Sequence, residues 1–290
     1  MKIGIAGTGR MGAAIGARLA SLGHEMMVWN RTPDKARATG LPVAASAREL
    51  AERSELVITI LTDAPAVEQV YGELLGGEVR GRLFVEMSTV RPAVPERISS
   101  LVKRKGGAFV ECPVGGTIGP AREGKLFGFV GGEAADVARA RPVLEQMCRR
   151  VEHVGPIGAG ARMKLAINLP LLVYWQALGE ALSLVRDLGL EPARLMDILA
   201  DTSGAPNMMK NRAATVAAAL AGREPSPVTV NVDTMKKDLA EMVEELRSLG
   251  RESLVARAAL EGFERASRAG LGAKDCAMIP VAWSPAPGKG

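Results

Sequence analysis

"KIGIAGTGRMG", residues 2–12, reads as a short apolar strand that runs directly into a glycine motif and then a helix. The spacing of Met11, Ile15, Leu19 and Leu22 predicts that residues 11–22 are helical. Gly7, Gly9 and Gly12 therefore stand at a strand-to-helix turn, the context in which G-x-G-x-x-G holds a dinucleotide. The first glycine makes the tight turn and the second lets the backbone approach the pyrophosphate. The third lets helix pack on strand, and the free amides of the first turn face the phosphates. Thr8, Arg10 and Met11 fall between the glycines and are expected at the cofactor with them.

Outward from this motif, "EMMVWN" (25–30) reads as a second strand, and Asn30, Arg31 and Thr32 stand at its end. A site for NAD places an acidic residue about 20 positions beyond the motif, to bond the ribose 2′-hydroxyl. Here no carboxylate appears until Asp34. An arginine pairs a 2′-phosphate bidentately and Thr32 adds a hydroxyl, so NADP(H) is expected in preference to NAD(H). Further strands read at 56–61, 82–87, 108–112 and 127–132, with helical stretches near 46–53, 65–75, 93–105 and 133–148. That alternation predicts an α/β fold, a Rossmann-type doubly wound sheet covered on both faces. After "EHVGPIGAG" (152–160) strand signals nearly vanish, and residues 161–272 read as helices broken at Gly189, Ser203-Gly204 and Pro225–Pro227. The expected domains are 1–160, which binds the cofactor, and 161–290, all-helical, for substrate and dimerisation. There is no convincing internal repeat, and the closing "SPAPGKG" (284–290) reads as disordered.

Composition agrees with two domains. The chain has 290 residues, 47% of them hydrophobic and 24% charged, enough for a large core. A net charge of +5 would allow a nucleic-acid partner. However, no basic block exceeds Lys103-Arg104-Lys105 and aromatics are few, so anionic small molecules fit better. Cys112, Cys148 and Cys276 have no CxxC spacing, and His24 and His153 sit in polar contexts beside a turn and a short strand. Neither a disulfide framework, a metal site nor a histidine triad is indicated. The first strand leaves no room for a signal peptide. Pro170, Gln176, Gly179 and Glu180 interrupt the greasiest segment, Leu169–Leu184, which suits a buried core helix better than a membrane span. A soluble, cytoplasmic protein is expected, with no membrane partner.

"GAGARMKLAINLP" (158–170) places Lys164 at the head of that apolar run, the only positive charge between Arg162 and Arg186. A buried ammonium is costly unless it is paired or its pKa falls. Beside a carbonyl that accepts hydride, it would stabilise the negative charge on oxygen and supply the proton. Asn168, four residues on, shares its helix face. On these residues alone, a lysine that merely snorkels from a helix start stays equally open.

Four segments now coincide: "GIAGTGRMG" (4–12), "ECPVGGTIGPAREG" (111–124), "GAGARMKLAIN" (158–168) and "MKKDLAEM" (235–242). In order and spacing the chain resembles the β-hydroxyacid dehydrogenases, to about Ala282. These include 3-hydroxyisobutyrate dehydrogenase, tartronate semialdehyde reductase and the glyoxylate/succinic semialdehyde reductases. The resemblance implies a Rossmann domain, a helical domain and a cleft between them. Hydride would pass between the nicotinamide and a small 3-hydroxy acid or the matching semialdehyde, with Lys164 as general acid/base and Asn168 orienting it and the substrate. The "WNRT" strand end is similar to that of the NADPH-using semialdehyde reductases. By position, Leu61 and Thr62 line the cofactor, Thr89 lies beneath the nicotinamide end, and Lys237 reaches the nicotinamide ribose or amide across the cleft. Lys236 is then the surface lysine.

The chain also departs from the family. The substrate loop usually reads like "APVSGG". Here it is "CPVGGT" (112–117), with Gly115 where serine is usual and Thr117 where glycine is. The amides of Gly115, Gly116 and Thr117 are still expected to form a small nest for a substrate carboxylate. Ile167 replaces the first of a frequent asparagine pair, and Arg122 and Lys125 add positive charge after the loop. An imine reductase shares the architecture but usually carries Asp or Tyr where Lys164 stands. A non-catalytic NADP-binding partner protein typically loses the lysine. A 6-phosphogluconate-type enzyme would need a longer helical domain and a histidine near the lysine. Finally, the helix expected over Ala161–Leu188 is apolar on more sides than one neighbour covers, which predicts a homodimer or higher homo-oligomer.

Overall fold

Five short apolar strands build the centre of the sheet: β1 (Lys2–Ala6), β2 (Glu25–Trp29), β3 (Leu56–Thr59), β4 (Leu83–Glu86) and β5 (Ala108–Glu111). They run parallel in the order β2-β1-β3-β4-β5. The computed structural model describes residues 1–283, so the closing segment 284–290 lies outside the described residues. Alternate side chains feed two cores, one on each face of the sheet. Leu56 and Ile58 of β3 join Ile3, Ile15 and Leu19 on one face. Val57 joins Phe84, Phe109 and Tyr71 on the other.

Helices α1 (Arg10–Ser21), α2 (Pro33–Arg37), α3 (Ala47–Arg53), α4 (Ala64–Leu74) and α5 (Ala93–Arg104) connect these strands. Two start at side-chain caps, where Ser46 accepts from the Glu49 amide and Asp63 from the Ala66 amide. The chain leaves β1 on one side for β2 and on the other for β3. The strand order therefore reverses at the ends of β1 and β3, where an open α/β sheet binds ligands.

Beyond β5 the sheet becomes mixed. β7 (Leu126–Gly131) is antiparallel to β5 and to the two-residue β6 (Val114–Gly115), and β8 (Cys148–Gly155) pairs parallel with β7. Helices α6 (Ile118–Glu123) and α7 (Ala134–Met147) intervene. The sequence does not predict β6 or α6. The one is held by its partner β7, and the other contains Gly119 and Pro120, both poor helix formers.

The chain divides into compact units Met1–Leu165 and Ala166–Gly290, with the division inside α8 (Ala159–Ser183). The second unit holds α9 (Pro192–Ala200), α10 (Asn207–Leu220), α11 (Val232–Ser248), α12 (Leu254–Ala266) and α13 (Met278–Trp283). The helix expected to reach Leu188 stops at Ser183, whose hydroxyl bonds the carbonyls of Gly179 and Trp283. A 3-10 turn, Arg186–Leu188, follows, and Gly189 is left-handed. By length and composition alone, α8 would also cross a bilayer. Yet Leu172, Trp175, Leu178 and Leu182 form a buried stripe at helical spacing, the pattern of a core helix. Its other sides are less covered: Ile167 is 44% exposed.

Candidate active site

Gly7 opens the turn after β1 with φ +102°, a value that favours glycine, and its amide bonds the Trp29 carbonyl. A Cβ on Gly12 would lie 1.9 Å from the Gly7 carbonyl oxygen, so α1 sits against the turn only because residue 12 has no side chain. Gly9 differs. A Cβ there would meet nothing within 4 Å, so the backbone at the head of α1 faces open space. The buried Thr8 hydroxyl next to it has no hydrogen-bond partner. An open, donor-rich backbone of this kind fits a pyrophosphate.

Gly7 and Gly9 line a cavity of about 150 Å³ together with Asn30, Arg31, Thr32, Leu61 and Thr62. The Asn30 amide group ties this edge together, since its oxygen accepts from the Thr8 amide and its nitrogen donates to the Thr32 carbonyl. Lys35, which the sequence argument overlooks, lines the same cavity. Its position one turn into α2 was the available signal, because that turn folds back toward Arg31 and Thr32. No Asp or Glu is among the described residues that line the cavity. Arg10, Met11 and Gly12 lie in the first turn of α1. Thr89 is half-buried between β4 and α5 and does not line this cavity.

A second feature sits at the ends of the central strands, where Thr59, Glu86 and Glu111 are register neighbours. All three are buried. Glu86 accepts from the Thr59 hydroxyl at 2.5 Å and from the Ser88 amide at 2.7 Å. The Ser88 hydroxyl in turn accepts from the amide of Leu61, which lines the cavity at the glycine turn. Glu111 accepts from the amides of Gly158, Gly160 and Ala161 at the start of α8. Burial pushes both carboxyls up to about 7, against the pull of these hydrogen bonds. The repeated "LFVE" and "AFVE", an acid closing an apolar strand, was the signal in the sequence for both.

Lys164 lies on α8 and is buried, at 8% exposure, while Asn168 four residues on is half-buried. The 112–117 loop, where substrate is expected, differs from its expected form. Gly115 pairs with Phe127 in β6–β7, Gly116 has φ +126°, and Thr117 is extended. A nest needs consecutive helical-type residues of opposite hand, so this loop offers separate amides instead. Lys125 forms an exposed ion pair with Glu123, and Arg122 is exposed. In the second unit, Lys237 of α11 pairs with Asp238 and Lys236 with Asp233. Among the described residues no cluster of His, Cys, Asp or Glu could hold a metal ion.

Residues 2–155 match the NAD binding domain of 6-phosphogluconate dehydrogenase. Residues 158–282 match the NAD-binding domain of NADP-dependent 3-hydroxyisobutyrate dehydrogenase. The chain is 30% identical to glyoxylate/succinic semialdehyde reductase 1 of Arabidopsis thaliana, over 96% of this chain and 97% of that one. It is 35% identical to 3-hydroxyisobutyrate dehydrogenase of Pseudomonas aeruginosa, over 70% of each. Among solved structures, Psf3 in complex with NADP+ and 2-OPP superposes with a TM-score of 0.86 at 26% identity, covering 97% of this chain and all of that one.

Proposed function

The chain belongs to the β-hydroxyacid dehydrogenase family of NAD(P)-dependent oxidoreductases, and from that premise we propose that it is an NADP(H)-dependent reductase of small semialdehydes or aldehydes, reversible with the matching 3-hydroxy acid. The observation that carries the cofactor choice is the cavity edge. Arg31, Thr32 and Lys35 gather beside Gly7 and Gly9 with no carboxylate among the lining residues. Two cations and a hydroxyl favour a 2′-phosphate, whereas a free 2′-hydroxyl finds no acidic acceptor. The bound nicotinamide supplies the hydride.

Lys164 is the general acid. Its ammonium stabilises the charge that develops on the carbonyl oxygen and gives up the proton that completes the alcohol, and in the reverse direction its amine takes that proton. Asn168 orients lysine and substrate. Gly115, Gly116 and Thr117 receive the carboxylate, Thr89 supports the nicotinamide end, and Lys237 contacts the nicotinamide ribose. The part-covered α8 supports a homodimer or higher homo-oligomer.

The test is turnover of NADPH with glyoxylate, succinic semialdehyde and other small aldehydes by Lys164→Ala. Turnover should fall by about 10²–10⁴-fold, the scale of a lost positioned acid. NADPH affinity should stay within a few-fold, because the glycine turn and Arg31 hold the cofactor elsewhere. Lys164→Arg should recover little, since a guanidinium does not release its proton near neutrality. A folded Lys164→Ala enzyme that reduces its best aldehyde at the wild-type rate would show that the lysine only snorkels.

A further inference from the structure

Glu111 is a buried acidic residue that does not line the cavity at the glycine turn. It closes β5, one residue before the substrate loop, and it reaches across to the first turn of α8. Its Oε1 accepts from the Gly158 amide at 2.5 Å and the Gly160 amide at 2.9 Å, and its Oε2 accepts from the Ala161 amide at 3.2 Å. These are the donors that a helix start leaves unsatisfied, and a carboxylate is the strongest acceptor for them.

The surroundings are shaped around this carboxylate. A Cβ on Gly131 would lie 2.3 Å from its Oε1, and a Cβ on Gly160 would lie 3.3 Å from its Cδ and 2.4 Å from the Phe129 carbonyl oxygen. Only glycine at both positions lets β7, the α8 start and the carboxylate meet this closely. Lys164 follows Ala161 by three residues, so it stands one helical turn from the three bonds. The bonds therefore set how far α8 is drawn onto the sheet and how it is rotated there, which places the lysine.

We propose that Glu111 is the positioning residue for Lys164, holding the start of α8 against the end of β5 so that the ammonium meets the substrate carbonyl. This rests on the assignment of Lys164 as the proton donor. Glu111 itself exchanges no proton with substrate. It acts through the backbone of residues 158–161.

A double-mutant cycle of Lys164→Ala and Glu111→Gln tests this, with NADPH and glyoxylate as the probes. The amide of Gln is isosteric but turns one acceptor into a donor facing N–H groups, so the α8 start is expected to shift. Glu111→Gln should lower kcat about 10- to 100-fold, the scale of a misplacement near 1 Å, while NADPH affinity by fluorescence titration stays within about threefold. In the Lys164→Ala background the same change should cost less than about twofold, because a group that acts through the lysine has nothing left to position.

Wild-type kcat in Glu111→Gln overturns the proposal, and so does an equal loss in both backgrounds, which would mean a general structural role. Near wild-type turnover by Lys164→Ala alone overturns the proton-donor assignment, and that failure shows in its own arm. If Glu111→Gln does not fold, Glu111→Asp carries the same two arms. It keeps the charge but withdraws it by one methylene, so kcat should fall less and the loss should again vanish without Lys164.

Discussion

Two glycines of one motif should fail in different ways when each is changed to alanine. At Gly12 the new Cβ would stand 1.9 Å from the Gly7 carbonyl oxygen and 3.0 Å from Ile60 Cγ2. The first is backbone, and it cannot rotate away. Either α1 or the turn must move by roughly 1 Å, and overpacking of that kind costs about 1–3 kcal/mol. Alanine recovers up to about 1 kcal/mol of helix propensity, which does not offset a rigid clash. At about 2–4 °C per kcal/mol for a unit of this size, Gly12→Ala should lower the melting temperature by several degrees and weaken NADPH binding. At Gly9 the Cβ meets nothing within 4 Å, and the backbone, at φ −65° and ψ −175°, accommodates alanine. Gly9→Ala should melt within about 2 °C of wild type, the net of a weaker cap and a stiffer unfolded chain. It should nevertheless lose most NADPH affinity, because the methyl fills the space assigned to the pyrophosphate. Thermal melts without cofactor, paired with fluorescence titration of NADPH, separate the cases. A Gly9→Ala protein that binds NADPH normally would refute the assignment of that space. An unchanged melting temperature for Gly12→Ala would refute the packing argument.

Arg31→Ala should weaken NADPH by about tenfold to a hundredfold, the loss of a charge-assisted pair, and leave NADH nearly unchanged. Steady-state KM values for both cofactors decide it, and equal weakening would remove Arg31 from the phosphate site. Stability should fall between pH 6 and pH 8. Glu86 and Glu111 titrate near 7 in the folded chain, against about 4.3 for a free glutamate. The unfolded chain therefore releases these protons first, and the stability held by the protonated carboxyls is full below about pH 4.3 and is lost as the pH rises through about 7. Urea unfolding should show about 2–3 kcal/mol less stability at pH 8 than at pH 6, a difference that Glu86→Gln roughly halves; an unchanged slope in that variant would clear Glu86 of the effect. Light scattering at micromolar concentration should give at least a dimeric mass, and a monomer would leave α8's uncovered sides without the proposed partner.

The fold was legible wherever the signal was local. Strands β1, β3, β4 and β5 are buried on both faces and the edge strand β2 mainly on one, so each is a short apolar run, and their ends fall within about two residues of those read from the sequence. Ser46 and Asp63 mark helix starts by their own chemistry. The misreadings are non-local. Val114 and Gly115 have no strand pattern of their own and become β6 because β7 lies alongside. The end of α8 is set by Ser183, which bonds a carbonyl a hundred residues away at Trp283.

The same division runs through the candidate site. Gly7, Gly9, Gly12 and Arg31 announce themselves by spacing, because a phosphate-binding turn is built from consecutive backbone. Glu111 does not. Its partners lie 47 to 50 residues further on, and nothing near it in sequence says that a helix start will come to rest on its carboxylate. What a sequence does show is a conflict: an acid placed where an apolar strand should continue into the core. Burying that acid raises its carboxyl to about 7 even with three amides bonded to it. An alanine or valine would fill the strand end without that penalty, but neither could accept the amides of Gly158, Gly160 and Ala161, and each unsatisfied buried N–H costs about 1–3 kcal/mol. The acid is thus tolerated because α8 must start on the sheet, and α8 starts there with Lys164 one turn along it.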